Sequence, residues 1–312
     1  MKKGLLFLLS ILFVVSLSAQ KNEAYLFSYF KNNGEDGLHL AYSYDGFTWK
    51  ALKNDSSFLT PTVSKDKLMR DPCIIRGADK KFHMVWTVSW NDKGIGYASS
   101  KDLVNWSEQQ YIPVMQHEDS ALNCWAPEIF YDSKNKEYMI YWATTIPGRF
   151  PKGDSSGDEK YNHRMYYVTT KKFKTFSETK LLYDQGFNVI DATIQKDADQ
   201  YIMFLKDETR YPAQKNIRIA TSSTLTGNYG PSSAPITGNY WAEGPTVLRM
   251  NNQWIVYFDK YTLHQYGAIV SADLKQWTDI SGSIEMPNGI RHGTIFAVTK
   301  KELEKLLTIT GN

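Results

Sequence analysis

"HLAYSYDGFTW" (39–49) has a fixed order: an apolar strand ends in small hydroxylated residues, a polar turn follows, and an aromatic closes it. The same order returns as "GYASSKDLVNW" (96–106), "YYVTTKKFKTF" (166–176), "RIATSSTLTGNY" (218–229) and "AIVSADLKQW" (268–277). The closing aromatics are Trp49, Trp106, Phe176, Tyr229 and Trp277, separated by 57, 70, 53 and 48 residues. A segment repeated at nearly constant spacing is the signature of a repeat architecture. The long second interval holds "IPGRFPKGDSSGDEK" (146–160), a polar loop rich in Gly and Pro.

Between the repeats lie runs that read strand, polar turn, strand: "CIIRGADKKFHMVWTVSW", "EIFYDSKNKEYMIYWATT", "ATIQKDADQYIMFLKDE" and "TVLRMNNQWIVYFDKY". Helical periodicity is nearly absent, apart from "KKELEKLL" (300–307), which fits a short helix or a turn. Units of about four strands and about 50–60 residues, five in number, predict an all-β, five-bladed β-propeller. A β-sandwich would explain the alternation but not the five-fold count. The last unit, ending in "RHGTIFAVTK" (291–300), lacks strands. "AYLFSYF" (24–30) can complete it and close the ring, giving a single domain over residues 20–312.

Of the 312 residues, 42% are hydrophobic, enough for a large core. Met1 to Gly4 is a short basic start, Leu5 to Leu17 an apolar run too short to span a bilayer comfortably, and Ser16 to Gln20 supplies small residues for cleavage. Residues 1–19 therefore read as a secretory signal peptide, with an exported, periplasmic or secreted product and no membrane span. Removing Lys2 and Lys3 takes the formal charge from +3 to about +1, which argues against a nucleic-acid partner. Cys73 and Cys124, the only cysteines, could pair after export, but their apolar surroundings favour free core thiols.

The first strand of each blade lines a propeller's axis, so the starts of these strands meet at one end of the channel. They read Asp71-Pro72, Ala126-Pro127, Asp191-Ala192, Glu243-Gly244 and His292-Gly293. Taken singly, each acid is unremarked: a turn residue, a strand cap or a solvated loop acid. Taken in register, Asp71, Asp191 and Glu243 converge on one pocket. Packing does not need three carboxylates together, and their repulsion opposes it. Crowding splits their pKa values and leaves one group ionised and another protonated near neutrality. Two carboxyls in opposite protonation states can cleave an acetal. Trp125, beside the fifth ring position, offers a stacking face for a sugar, while Trp86 and Trp90 read as core.

At these residues the sequence resembles glycoside hydrolase family 43. "MRDPCII", "CWAPEIFYD", "FNVIDATI", "YIMFLKDE", "WAEGPTV" and "RHGT" look like that family's motifs in its usual order, over roughly residues 24–300. The resemblance implies a five-bladed propeller that hydrolyses α-L-arabinofuranosides, β-xylosides or galactans with inversion. It implies Asp71 as general base, Glu243 as general acid and Asp191 as the acid that tunes and orients the donor. It implies sugar contacts from Arg291 and His292, no organic cofactor, and room for a channel-bound Ca²⁺ near His292. The expected partner is an arabinose- or xylose-containing polysaccharide or oligosaccharide, and the favoured activity is an exo-acting α-L-arabinofuranosidase, with β-xylosidase, endo-xylanase or galactan hydrolysis as alternatives. In this scheme burial beside Trp241 and the charges of Asp71 and Asp191 would raise the Glu243 pKa, and Arg149, Phe150 and Lys152 of the 146–160 loop would rim the pocket.

A retaining fructan hydrolase shares Arg70-Asp71-Pro72, but its Asn-Asp-Pro-Asn-Gly nucleophile signature is absent. A non-catalytic carbohydrate-binding propeller is the alternative of another class, although a binder gains little from three crowded acids. His117-Glu118 lacks the second His of a zinc-protease motif, and no nucleotide-binding fingerprint is present.

Overall fold

The computed structural model describes residues 23–151 and 161–311; the leader read at 1–19 and residues 152–160 of the long loop lie outside these. In chain order, β1 (Glu23–Tyr29), β2 (His39–Ser43) and β3 (Lys50–Ala51) come first. The next sheet holds β4 (Arg70–Arg76), β5 (Phe82–Thr87), β6 (Ile95–Ser100) and β7 (Gln110–Ile112). The third holds β8 (Trp125–Asp132), β9 (Glu137–Thr145), β10 (His163–Thr170) and β11 (Lys180–Tyr183). The fourth is β12 (Val189–Asp197), β13 (Gln200–Asp207) and β14 (Asn216–Ser222). The fifth is β15 (Glu243–Met250), β16 (Gln253–Lys260), β17 (Gln265–Ser271) and β18 (Thr278–Asp279), followed by β19 (Thr294–Thr299) and α1 (Lys300–Thr310).

These strands form five antiparallel sheets, the blades of a β-propeller. The innermost strands β4, β8, β12, β15 and β19 each touch the next, and β19 touches β4. One blade mixes the two ends of the chain: β1 pairs with β19 from Glu23↔Thr299 to Ser28↔Thr294, in the sheet order β19-β1-β2-β3.

The repeated segment has a physical cause. A hydroxyl at the end of each third-from-edge strand closes the turn that follows by accepting a backbone N–H. Ser43 Oγ accepts from Gly46 at 2.9 Å, Ser100 Oγ from Leu103 at 2.9 Å and Thr170 Oγ1 from Phe173 at 3.0 Å. Ser222 Oγ accepts from Thr224 at 3.0 Å and Ser271 Oγ from Leu274 at 2.9 Å. The Trp49 and Trp106 indoles then donate back to the carbonyls of Gly46 and Leu103, both at 3.1 Å.

One expectation needs correction. The fourth blade has three strands, not four: Pro231 and Pro235 cannot donate to a ladder, so the segment beside β14 makes only isolated bonds, such as Ser233 N to Ile219 O at 2.7 Å. Of the two forms open to residues 300–307, the chain takes the helix, opened by a capping box between Thr299 and Glu302 and packed through Leu303 and Leu306 on the sheet carrying β1. Cys73 and Cys124 are free and buried.

Candidate active site

Each of the four inner strands β4, β8, β12 and β15 slips register near its start: between Arg70 and Cys73, Trp125 and Glu128, Ile190 and Thr193, and Glu243 and Thr246. These are β-bulges, and each puts one residue at positive φ: Asp71 (51°), Ala126 (46°), Asp191 (51°) and Gly244 (59°). A side-chain-bearing residue in that region is strained and is kept where the surroundings fix it. The bulge corrects the sequence alignment. Asp71 and Asp191 occupy the bulge itself, whereas Glu243 stands one place before it, level with Arg70, Trp125 and Ile190. The acids come from two adjacent tiers of the ring: Gly244-Pro245 aligns with Asp71-Pro72, which leaves Glu243 level with Arg70.

Gly244 shows how tight this tier is. A Cβ there would lie 2.4 Å from the His292 ring, and the Gly244 amide donates to Asp191 Oδ2 at 3.1 Å. Gly244→Ala is expected to destabilise the fold by about 1–3 kcal/mol through the strained φ, and to displace His292 and lower activity. Thermal melts and assays matching the parent protein would contradict this.

Asp71 is the best-held acid. Thr87 Oγ1 donates to its Oδ2 at 2.8 Å, and His292 Nδ1 lies 3.3 Å from its Oδ1. Burial opposes its charge, but His292, Arg70 and Thr87 hold its pKa down to about 2. His292 Nδ1 also lies 4.0 Å from Asp191 Oδ2. Burial works against the imidazolium, yet Asp191 and Asp71 push its pKa up to about 9. Asp191 moves the other way from Asp71. Burial raises its pKa, and Glu243 and Asp71 add to the rise, against the lowering by His292 and Lys206.

Glu243 overturns one expectation. Lys206 Nζ donates to its Oε2 at 3.0 Å and Arg291 Nη2 to its Oε1 at 3.1 Å. Burial raises the Glu243 pKa, but these two cations outweigh it and hold the group below the ordinary range, as a carboxylate. Trp241 does not flank the carboxyl. Its ring packs on Tyr261, with the Arg210 guanidinium 4.7 Å away. Glu243 sits mid-way in a chain of alternating charge. Lys215 and Lys206 each meet Glu208 at 2.5 Å, and Arg291 Nε meets Asp259 Oδ2 at 2.6 Å on the other side.

All six residues singled out from the sequence line one cavity of about 270 Å³ at the axis: Asp71, Trp125, Asp191, Glu243, Arg291 and His292. Trp90 lines it too and is 41% exposed, so its assignment to the core fails while Trp86, fully buried, keeps its own. The two rim indoles meet edge to face at 5.4 Å, with the Trp125 N–H donating to the Trp90 carbonyl at 2.9 Å. Arg70 stacks on Trp90 at 4.2 Å. The 146–160 loop does not supply the rim in its described part: Arg149 is drawn to Glu118 at 2.5 Å, Phe150 packs under Arg164 at 4.7 Å, and Lys152 lies outside the described residues.

Sequence reasoning missed Lys206, Glu208, Tyr261, Asp259 and Glu128. The signal for the first two was a charged triplet, Lys206-Asp207-Glu208, ending the apolar run "YIMFL" (201–205). Glu128 stands where β8 should place an apolar residue, and burial raises its pKa to about 7.

The axial donors do not fit a calcium ion. His292 is held cationic between two of the acids, and Lys206 and Arg291 already occupy both oxygens of the third. Among the described residues no three His, Cys, Asp or Glu are grouped to hold a metal.

A family model described as "Probable glycosyl hydrolase domain", of the glycosyl hydrolase 43-related group, matches residues 20–304. The chain belongs to this family. It is a glycoside hydrolase, and its five blades are those of family-43 enzymes. Solved structures of similar fold include the endo-arabinase from Bacteroides thetaiotaomicron VPI-5482, 16% identical over 73% of this chain and 85% of that one, with a TM-score of 0.54. The α-L-arabinofuranosidase from Lactobacillus brevis is 18% identical over 68% and 72%, at 0.51. The exo-β-1,3-galactanase from Clostridium thermocellum is 14% identical over 70% and 50%, at 0.51. At such identities these likenesses speak for the fold alone. No curated protein matches the chain.

The electrostatics of this glycoside hydrolase bear on its stability. The folded His292 has its pKa raised from 6.5 to about 9, so its contribution is complete below 6.5 and is lost as pH rises through about 9. Glu128, raised from 4.5 to about 7, acts in the same direction between those two values, so its loss is complete by about pH 7. The two histidines with lowered pKa, His83 and His163, act only below 6.5. The melting temperature is therefore expected to fall between pH 7 and pH 9, and to fall much less in His292→Gln. Calorimetry showing the same slope in both proteins would remove His292 from this role.

Proposed function

We propose that this hydrolase is an exo-acting α-L-arabinofuranosidase that inverts the anomeric centre of a terminal sugar of a plant polysaccharide side chain or oligosaccharide. Asp71, ionised across the working pH range, deprotonates the attacking water. Glu243 delivers a proton to the leaving oxygen, and Asp191, whose pKa burial and Glu243 raise, tunes and orients that donor. Trp90 and Trp125 offer the apolar face, and Arg291 and His292 the hydrogen bonds, that a sugar ring needs. The leader read at residues 1–19 accompanies export, where such polymers are met.

The observation that carries this reading is the axial cavity of about 270 Å³ with three carboxyls on its wall. Its size is at the lower end for ligand pockets, which suits one terminal ring better than a length of chain. Release of 4-nitrophenol from a panel of α-L-arabinofuranoside, β-D-xyloside and β-D-galactoside tests it. The arabinofuranoside is expected to turn over fastest. Preference for the xyloside or the galactoside would transfer the activity to that sugar, and binding without release from any of them would make the protein a carbohydrate-binding propeller.

A further inference from the structure

The turn that follows β2, β6 and β17 has an aspartate as its second residue, and the carboxylate Oδ1 accepts two backbone N–H groups of the turn. Asp45 accepts from Phe47 at 2.7 Å and Thr48 at 2.8 Å. Asp102 accepts from Val104 at 3.0 Å and Asn105 at 2.7 Å, and Asp273 from Lys275 at 2.8 Å and Gln276 at 2.9 Å. After β10 the same position holds Lys172, inside "KKFK" (171–174). An ammonium has donors only, so this turn forgoes both bonds. Its three lysines also repel one another. Natural chains break a local rule of this kind chiefly at functional sites.

Lys171, Lys172 and Lys174 line a cavity of about 520 Å³, together with Lys81 of the turn 77–81 and Lys136 of the turn joining β8 to β9. Among the described residues none of the five has a carboxylate within ion-pair distance, and the one acid of the wall, Asp79, is turned to His83 at 3.0 Å. The floor is aromatic and closed. Phe173 stacks on His83 at 4.4 Å and on Tyr97 at 4.5 Å, with Tyr138 4.6 Å away, and all four rings are buried. Ser99, Ser107 and Gln110 add hydroxyl and amide groups, and the half-buried Tyr131 keeps part of its ring open. β4 begins with Arg70 and Asp71 on the axial cavity and ends at Arg76, just before the turn 77–81. The two cavities therefore open at opposite ends of that strand, about 20 Å apart.

Unpaired ammonium groups on flexible stems call for an anion. A nucleic acid needs bare ring faces for its bases, and here the four floor rings cover one another. A membrane surface needs protruding apolar side chains, and none of the large exposed hydrophobics lies on this wall. A hydroxylated ring with an acidic group is matched by the whole lining: lysines for its charge, Ser and Gln for its hydroxyls, Tyr131 for its C–H face. We propose that the cavity between the turns 77–81 and 171–174 is a second carbohydrate site, remote from the axial acids, that holds an acidic sugar residue of a polysaccharide. It goes beyond the reading above and does not depend on which bond the axial site cuts.

Lys172→Asp tests the site at the position that breaks the repeat. It restores the residue of the other turns and is expected to keep or raise the melting temperature. Lys136→Asn, on the same sheet but in another turn, decides the matter should Lys172→Asp fail to fold; Lys136 has a φ of 54°, which asparagine tolerates. Hexagalacturonate is titrated calorimetrically at low salt into the parent and both variants, with its methyl ester as the uncharged control. The parent is expected to bind the free acid and not the ester. Each variant is expected to bind it more weakly by about tenfold or more, the worth of one charge-assisted contact. Rates on whichever aryl glycoside the parent cleaves should stay within about twofold, since both lysines are exposed and far from the axial acids. A sulfated oligosaccharide run beside the uronate identifies the acidic group: tighter binding that Lys172→Asp abolishes sustains the site and assigns it to sulfate. Binding of neither by the parent, equal binding of acid and ester, or undiminished binding by the variants overturns it. Lys172-dependent binding of a single-stranded oligonucleotide or of phosphatidylglycerol vesicles, tighter than that of either sugar, overturns the sugar assignment. A parent protein that cleaves no aryl glycoside would end the hydrolase reading alone, because these titrations need no cleavage.

Discussion

Asp71→Asn is expected to lower kcat/KM by about 10² to 10⁴, the usual worth of a positioned general base, and by the same factor whatever the leaving group. Asparagine has the shape of the acid and can still accept the Thr87 hydroxyl, now 2.8 Å from Asp71 Oδ2, so the site should survive the change. What it cannot do is take a proton from water. The native group is well suited to that task because His292 and Arg70 keep it ionised, with a pKa near 2, even though it is buried. As the proposed general base it would act on the water and not on the departing oxygen, so 4-nitrophenyl and 2,4-dinitrophenyl glycosides should lose equally. Near-parental rates with a normal melting curve would remove Asp71 from the reaction.

Glu243→Gln should behave differently, and the difference separates acid from base. A poor leaving group needs a proton, so its turnover should fall by about 10² to 10⁴. A 2,4-dinitrophenyl glycoside leaves without one and should lose far less. The salt links make the argument sharper. With Lys206 on one oxygen and Arg291 on the other, the Glu243 pKa is lowered, while burial, Glu243 and Asp71 raise that of Asp191. Coupled groups titrate as a pair, so kcat/KM requires one proton on the Asp191–Glu243 pair and falls as pH rises and that proton leaves, wherever in the pair it resided. Lys206→Met removes one cation, should raise the Glu243 pKa, and so should move the alkaline limb of the profile to higher pH. An unmoved limb would show that Lys206 does not govern the donor. An equal loss on both aryl glycosides in Glu243→Gln would show that Glu243 is not the donor.

The blades were legible because their punctuation is chemical. Five hydroxyls at the ends of five strands close five turns, and a chain that must repeat that turn repeats its residues. The convergence of Asp71, Asp191 and Glu243 was legible for the same reason, since each opens an inner strand. Two features were hidden by geometry that leaves little trace in composition. The bulges place Glu243 one tier away from the two aspartates, and lining up acid with acid hid an offset that the match of Pro245 with Pro72 carries. Lys206 lies at the far end of β13 and reaches Glu243 from the neighbouring blade, across 37 residues of sequence. Trp90 read as core because an aromatic after a buried strand usually is; the edge contact with Trp125 holds it at the rim instead. The missing fourth strand beside β14 was marked by Pro231 and Pro235, but the repeat count outweighed them.

The central proposal is that acids from different blades form a single proton-donor and proton-acceptor site that works on one sugar at a time. Proton NMR of the sugar first released from an oligosaccharide, recorded before mutarotation, tests it most directly. The expected spectrum shows only the terminal monosaccharide, formed first in the anomeric configuration opposite to that of the bond cleaved, and no product with Asp71→Asn. A first product of retained configuration, or sugar released at the parental rate by Asp71→Asn, would contradict it.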